Sequence, residues 1–282
     1  MLDDIKNKDL SFKEVFSMSF EIYTLNIKTV IALAILVYIP IALLGVLVIE
    51  PQLHNFLMIL ETHTGTYNLG QIMSVLMNIG NLPIEVASSI RRILYTIMAA
   101  VVIPYALFVP ILSSGLTLLV QGFAKDEQIS TDDTVTTALS NILKTFVTAL
   151  LGFMLIMLGL SFFALPGIYM SVIFAFSIPA VIVSGKWGFG ALGESFSVVR
   201  GRWFKVLSLI FITSLLAPMI LQETTRVIVA LVYLIIPNEI IINTVGGVVS
   251  NIMLSYLIIV ECLWFVNKYL IKTNIRNSDI TA

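Results

Sequence analysis

Charge is what this chain has least of. Only 12% of its 282 residues are Asp, Glu, Lys or Arg and 58% are apolar, where a soluble domain carries about 25% charged residues. A water-soluble globule is excluded, because the chain has too few charged side chains to cover one. Histidine and cysteine are scarcer still, at two and one. With Cys262 alone, no intrachain disulfide can form and no redox compartment can be read. His54, Glu61 and His63 make the single cluster with metal-ligand chemistry, at a spacing no common zinc motif uses, so they read as a solvated segment and no metal is expected. Cys262 and the histidines fall toward opposite faces of the membrane inferred below, so a nucleophile and a base cannot meet. A net charge of −1 supplies no field for nucleic acid. The expectation is a protein that is not an enzyme and holds no cofactor.

What is present is hydrophobic run after hydrophobic run. Six of them, at roughly 29–49, 93–120, 146–165, 168–184, 206–221 and 241–266, are mostly near the ~20 residues a helix needs to cross a hydrocarbon core. The basic residues sort by side. Lys6, Lys8, Lys13 and Lys28 precede the first run; Lys125 and Lys144 lie between the second and third; Lys186, Arg200, Arg202 and Lys205 lie between the fourth and fifth; and Lys268, Lys272 and Arg276 follow the sixth. Arg91, Arg92 and Arg226 are the exceptions. Positive charge marks the cytoplasmic side, so both termini are expected there. The first 28 residues carry both signs of charge and the run after them is too long for a signal-peptide core, so it reads as a retained span.

Each pair of spans is entered through a short amphipathic stretch. Phe12, Phe16, Phe20 and Tyr23 share one face, Val135, Leu139 and Ile142 another, and Phe189, Leu192, Phe196, Val199 and Trp203 a third, all at helical spacing. Beside a span, such helices lie in the interface plane. The expected fold is therefore all-α: a single membrane-embedded domain over 1–282, with six transmembrane helices as three hairpins, amphipathic interfacial helices, and both termini inside. Residues 50–92 read as helix-like outer connection, Leu165-Pro166-Gly167 as a tight turn between the third and fourth spans, and 223–240 as re-entrant or interfacial, its ten apolar residues being too few to cross.

Three motifs carry candidate chemistry. Gly188, Gly190 and Gly193 fit GxGxxG, but the stretch follows a span and no strand, so it reads as a flexible turn. Arg200, Arg202 and Lys205, beside Trp203, put cations and an indole at headgroup depth, where they can hold anionic lipid phosphate as well as anchor the chain. Glu261 is the one acidic residue well inside a span, and such a residue is a functional candidate by default. Ser250 sits eleven positions earlier, only about 20° around the helix, with Asn251 beside it and Gly246 and Gly247 adjoining. That face serves either helix packing or an intramembrane polar site. Pro40, Pro104, Pro110, Pro179 and Pro218 interrupt the spans, each removing a backbone donor.

The block from Leu165 to Leu207, with Pro166-Gly167, Pro179, Ala191-Leu192, Ser195, Arg200 and Trp203, resembles the membrane-domain family of glycerophosphoryl diester phosphodiesterases and a related group of six-helix inner-membrane proteins of enteric bacteria. The N-terminal SFKEVFSMSFEIYTLNIKT and the last span with its basic tail fit the same plan. The resemblance implies a multi-pass protein of the bacterial cytoplasmic membrane acting through lipids or partners in envelope or lipid homeostasis. It does not carry over phosphodiesterase activity, since the acidic, histidine-rich metal site of the soluble domain is missing. Expected partners are membrane lipids, anionic ones included, and a membrane protein or a second copy of the chain. The alternative is a transporter or export accessory for a small amphipathic compound, with Glu261 and Asn251 on its path; an intramembrane enzyme is the third class.

Overall fold

The computed structural model describes residue 5 and residues 7–64, 69–236 and 238–281. Lys6 lies outside them, as do the side chains of His63 and Arg276. All regular structure among the described residues is helical. The helices are α1 (Phe12–Leu25), α2 (Ile27–Leu44), α3 (Glu50–Thr64), α4 (Leu69–Met77), α5 (Ile84–Lys125), α6 (Thr131–Ser140), α7 (Ile142–Phe162), α8 (Ala164–Ile173), α9 (Ser177–Ser184), α10 (Phe189–Val199), α11 (Trp203–Phe211), α12 (Ala217–Ile235) and α13 (Glu239–Thr281), with π-turns at Gly45–Ile49 and Ile212–Leu216. Six stretches are long and apolar enough to cross a membrane: Ile27–Thr62, Ile84–Lys125, Ile142–Phe162, Ala164–Ser184, Trp203–Ile235 and Thr244–Asn274. The chain is a multi-pass membrane protein. Several helices outrun the bilayer: at 1.5 Å per residue the 42 residues of α5 extend about 63 Å, twice the ~30 Å hydrocarbon core.

By internal contact the chain divides into two units, residues 39–105 and the remainder. In the smaller unit, Phe56 and Leu60 of α3 pack on Ile90 and Ile93 of α5, with Ile72, Val75 and Leu76 of α4 around them. The described residues of the connection over 50–92 are thus mostly helical, with their own apolar cluster, because its apolar residues recur at three and four.

The larger unit is built around the last helix. From Cys262 to Lys268 every residue of α13 is buried, as expected of a helix enclosed on all sides. Phe176 stacks on Trp264 at 5.2 Å between ring centroids and meets Phe265 at 5.6 Å; Thr117 of α5 bonds the Cys262 sulfur at 3.2 Å. Helix α1 lies against α13, with Phe16, Phe20 and Tyr23 edge-on around Tyr256. Two hydroxyls tie them: Tyr256 donates to the Phe16 carbonyl and Tyr23 to that of Ile252, both at 3.1 Å.

The lead-in helices form where the spacing predicts, and most of the residues they bury are other than the apolar ones the spacing singles out, Leu192 and Val199 of α10 belonging to both sets. Helix α1 buries Val15, Met18, Ser19 and Ile22, α6 buries Thr134 and Ala138, and α10 buries Ala191, Leu192, Ser195, Val198 and Val199. Phe20, Leu139, Phe189 and Phe196 stay exposed. Small and aliphatic side chains let a short helix approach its neighbour closely, while the rings of α1 meet Tyr256 at the edge of the contact and Phe189 and Phe196 stay exposed.

Three connections differ from expectation. The turn between the third and fourth spans falls at Phe163, not at Leu165-Pro166-Gly167. Pro166 sits in the first turn of α8, where its missing N–H costs no intrahelical bond. Gly167 instead lets the helices touch: a Cβ there would fall 2.3 Å from the Leu160 side chain. The fourth span is two half-helices, α8 and α9, broken at 174–176 just before Pro179. The segment after the fifth span is not a separate element either, since α12 runs unbroken through it to Ile235.

Candidate functional site

Two clusters emerge, both in the larger unit. The first gathers at the starts of α1 and α11 and around residues 264–268 of α13. Asn267 holds the N-terminal segment by donating to the carbonyls of Ile5 at 2.8 Å and Lys8 at 2.9 Å, and its oxygen accepts the Leu10 N–H at 3.3 Å. Next to it, Lys268 donates to Asp9, to Asn267 Oδ1 at 2.8 Å and to the Leu10 carbonyl at 3.4 Å, with its ammonium 5.6 Å from the centre of the Trp264 ring. The pair is lopsided: the Lys268 side chain is 2% exposed and that of Asp9 55%. Desolvation pushes the Asp9 carboxyl up, but the Lys268 hydrogen bond and charge, with Arg202 and Lys205 behind them, outweigh it and hold the group below its ordinary range. Asp9, Leu10, Ser11, Phe12, Lys205, Trp264 and Lys268 line a cavity of about 190 Å³.

Of the basic residues singled out in the sequence, Lys205 thus lines this cavity and Arg202 acts on its charges, while Arg200 is exposed at the end of α10. Trp203 is half-buried, stacked on Tyr169 at 6.0 Å and edge-on to Phe204 at 5.0 Å. Its indole N–H is buried without a hydrogen-bond partner among the described residues, an arrangement that costs energy unless something accepts from it. The fourth span breaks at 174–176, between α8 and α9. Ser195 repairs that break. Its hydroxyl donates to the Ile173 carbonyl at 2.7 Å and accepts the Phe176 N–H at 3.3 Å, satisfying backbone groups the interrupted helix leaves over.

Beside this cluster, Glu194 accepts from Lys186 at 2.6 Å and from Lys272 at 3.4 Å, and Lys272 also reaches Ser197 at 2.5 Å. Desolvation raises the Glu194 carboxyl, but the Lys186 hydrogen bond and the charges of Lys272 and Lys186 prevail and lower it.

The second cluster is Glu261. Its Oε1 accepts from Thr213 at 2.5 Å and from Ser214 at 3.4 Å. Both hydroxyls stand in the π-turn Ile212–Leu216. Pro218 cannot donate to the Ser214 carbonyl, and the widened turn accommodates the loss. The fifth and sixth spans run antiparallel in matching register: Val229 lies 2.8 Å from where a Gly246 Cβ would sit, Thr225 reaches the Met253 sulfur at 3.8 Å, and Thr213 meets Glu261. Small residues on the last helix admit its neighbour, as packing requires. Asn251 and Ser250 do not join Glu261. The Asn251 amide donates to the Gly247 carbonyl of its own helix at 2.7 Å, and eleven residues of rise separate Ser250 from Glu261 by about 16 Å. Neither Lys205 nor Lys268 pairs with Glu261. The Thr213 and Ser214 contribution went unread, although two adjacent hydroxyls in the span antiparallel to the one holding Glu261 were its signal.

Gly188 takes φ +59°, caps α10 and donates its N–H to Thr148 at 2.8 Å; α9 precedes it, so the GxGxxG context of strand and helix is not formed. His54 and Glu61 are exposed on α3, and among the described residues no three His, Cys, Asp or Glu side chains converge as metal ligands. In the smaller unit, Leu44, Val48, Arg91, Arg92, Tyr95 and Ile103 contribute to an open, mostly apolar groove of about 780 Å³.

No protein-family model matches the chain, and neither a curated protein nor a solved structure matches it.

Proposed function

We propose that this is a non-enzymatic module of the bacterial cytoplasmic membrane that acts by holding anionic lipid, with both termini cytoplasmic and its spans paired as three hairpins. The observation that carries the reading is the cavity in which Lys205 and Lys268 face the carboxylate of Asp9, with Lys205 close in sequence to Arg202 and to a half-buried Trp203 whose indole N–H has no acceptor among the described residues. Cations at headgroup depth hold lipid phosphate, and a tryptophan with one apolar and one polar end suits that depth. Phe20, Phe189 and Phe196 are exposed, and rings on lead-in helices suit the headgroup region. The resemblance of Leu165–Leu207 to the phosphodiesterase membrane-domain family agrees with a role in envelope or lipid homeostasis. Native mass spectrometry of protein extracted gently from membranes tests it: a stoichiometric anionic lipid is expected, and R200Q/R202Q should lose it. A stoichiometric protein partner without lipid would move the function to that partner.

A second reading has its own observation. Glu261, bonded to hydroxyls in a π-turn, is the kind of interrupted-helix site that transporters use. If it lines a path, Glu261→Gln alters transport of a small amphipathic compound while the protein level in the membrane is unchanged. Loss of the variant from the membrane assigns Glu261 to packing.

A further inference from the structure

We infer that the cavity between the N-terminal segment and the last helix is a binding site for a phosphate monoester, and that Asp9 occupies its charge as an internal, exchangeable stand-in. The inference rests on the lipid reading above and names the headgroup chemistry and its control.

Three features converge there. Lys205 and Lys268 line the cavity, and Arg202 lies three residues before Lys205, at the start of α11. The first turn of α1, through Ser11 and Phe12, forms another wall, its end capped by Glu14. Against these three cations stands the carboxylate of Asp9, since Glu14, which caps α1 at Ser11, is paired with Lys8. The surplus of two positive charges matches a phosphomonoester, which carries about −1.5 to −2 near neutral pH, better than the single charge of a phosphodiester.

The lopsided burial says which partner moves. Lys268 is shut in with Asn267 and the Trp264 ring, and a buried ammonium must keep an anionic or hydrogen-bonding partner. Asp9 is open to solvent on a segment held by Asn267 and Lys268, so its carboxylate can yield to a phosphate oxygen that offers Lys268 the same contact. Asp9 then lowers affinity by competition and keeps the site paired when no ligand is bound.

The test uses the full-length protein in neutral phosphatidylcholine nanodiscs containing phosphatidic acid, a monoester, or phosphatidylglycerol, a diester, with glycerol 3-phosphate as soluble competitor. Phosphatidic acid is expected to bind about tenfold more tightly, the worth of one extra charge-assisted contact. Lys205→Gln should remove that preference by weakening phosphatidic acid binding more than phosphatidylglycerol binding, and Asp9→Asn should tighten monoester binding several-fold. Because Asp9→Asn can loosen the N-terminal segment, the exposed Lys205 variant decides the ligand class by itself. Equal binding of the two lipids, both lost in R200Q/R202Q, overturns this inference and leaves the general lipid reading standing; no anionic lipid bound overturns both. Competition by glycerol 3-phosphate supports the site and makes a soluble phosphate ester its source, whereas failure to compete supports the lipid as its source.

Discussion

Ser195 does for the fourth span what a backbone bond would have done, and its removal is the sharpest single-residue test of the packing. Ser195→Ala leaves the buried Phe176 N–H and Ile173 carbonyl without that partner, at a cost of about 1–3 kcal/mol. A lower melting temperature in detergent is the expected readout. Gly167 is as demanding sterically: Gly167→Ala would place a methyl 2.3 Å from Leu160 side-chain atoms and 3.0 Å from its backbone nitrogen, so overpacking of about 1–3 kcal/mol is expected, visible as reduced yield and melting temperature. Cys262 makes a gentler probe, since its thiol is buried against Thr117. A maleimide should leave the folded protein unlabelled and react once it is denatured in dodecyl sulfate.

Among the elements, α10 and α1 carry the acid sensitivity. Asp9 and Glu194 have folded-state values below their ordinary ones, so each contributes stability that is present above its unfolded value, near 4, and is lost as pH falls through the lowered folded value. Melting temperature should therefore hold from neutral pH to about 5 and decline below it, and Glu194→Gln should flatten part of that decline. Helix α1 has its own cap: Ser11 and Glu14 exchange hydrogen bonds, and Lys8 with the Ser11 groups brings the Glu14 carboxyl to about 2. That cap should persist to a lower pH than the Glu194 contacts. The lead-in helices also show how far periodicity reads. Spacing of three and four located α1, α6 and α10, but the bulky residues at that spacing only partly identified the packed side, because Val15, Thr134 and Ser195 fit the closer approach.

For the molecule as a whole, orientation is the property to measure first, in a Cys262→Ser background. Gly80→Cys should react with a membrane-impermeant maleimide added to intact cells, and Asn7→Cys only after lysis; the reverse pattern would invert the protein. Hydropathy and scarcity of charge were enough to establish an all-helical chain with six membrane-length stretches, because lipid forces each crossing segment to satisfy its own backbone and advertise itself as an unbroken apolar run. They also flagged Glu261 and the 200–205 basic stretch, since charge near an apolar run is rare enough to stand out. Partners were another matter. That Glu261 takes Thr213 and Ser214, that Lys268 takes Asp9 from the opposite end of the chain, and that Ser195 closes a break nineteen residues earlier were settled by tertiary packing. Such contacts depend on which helices become neighbours, at what rotation and depth, and apolar runs of nearly uniform composition carry little local signal for any of the three.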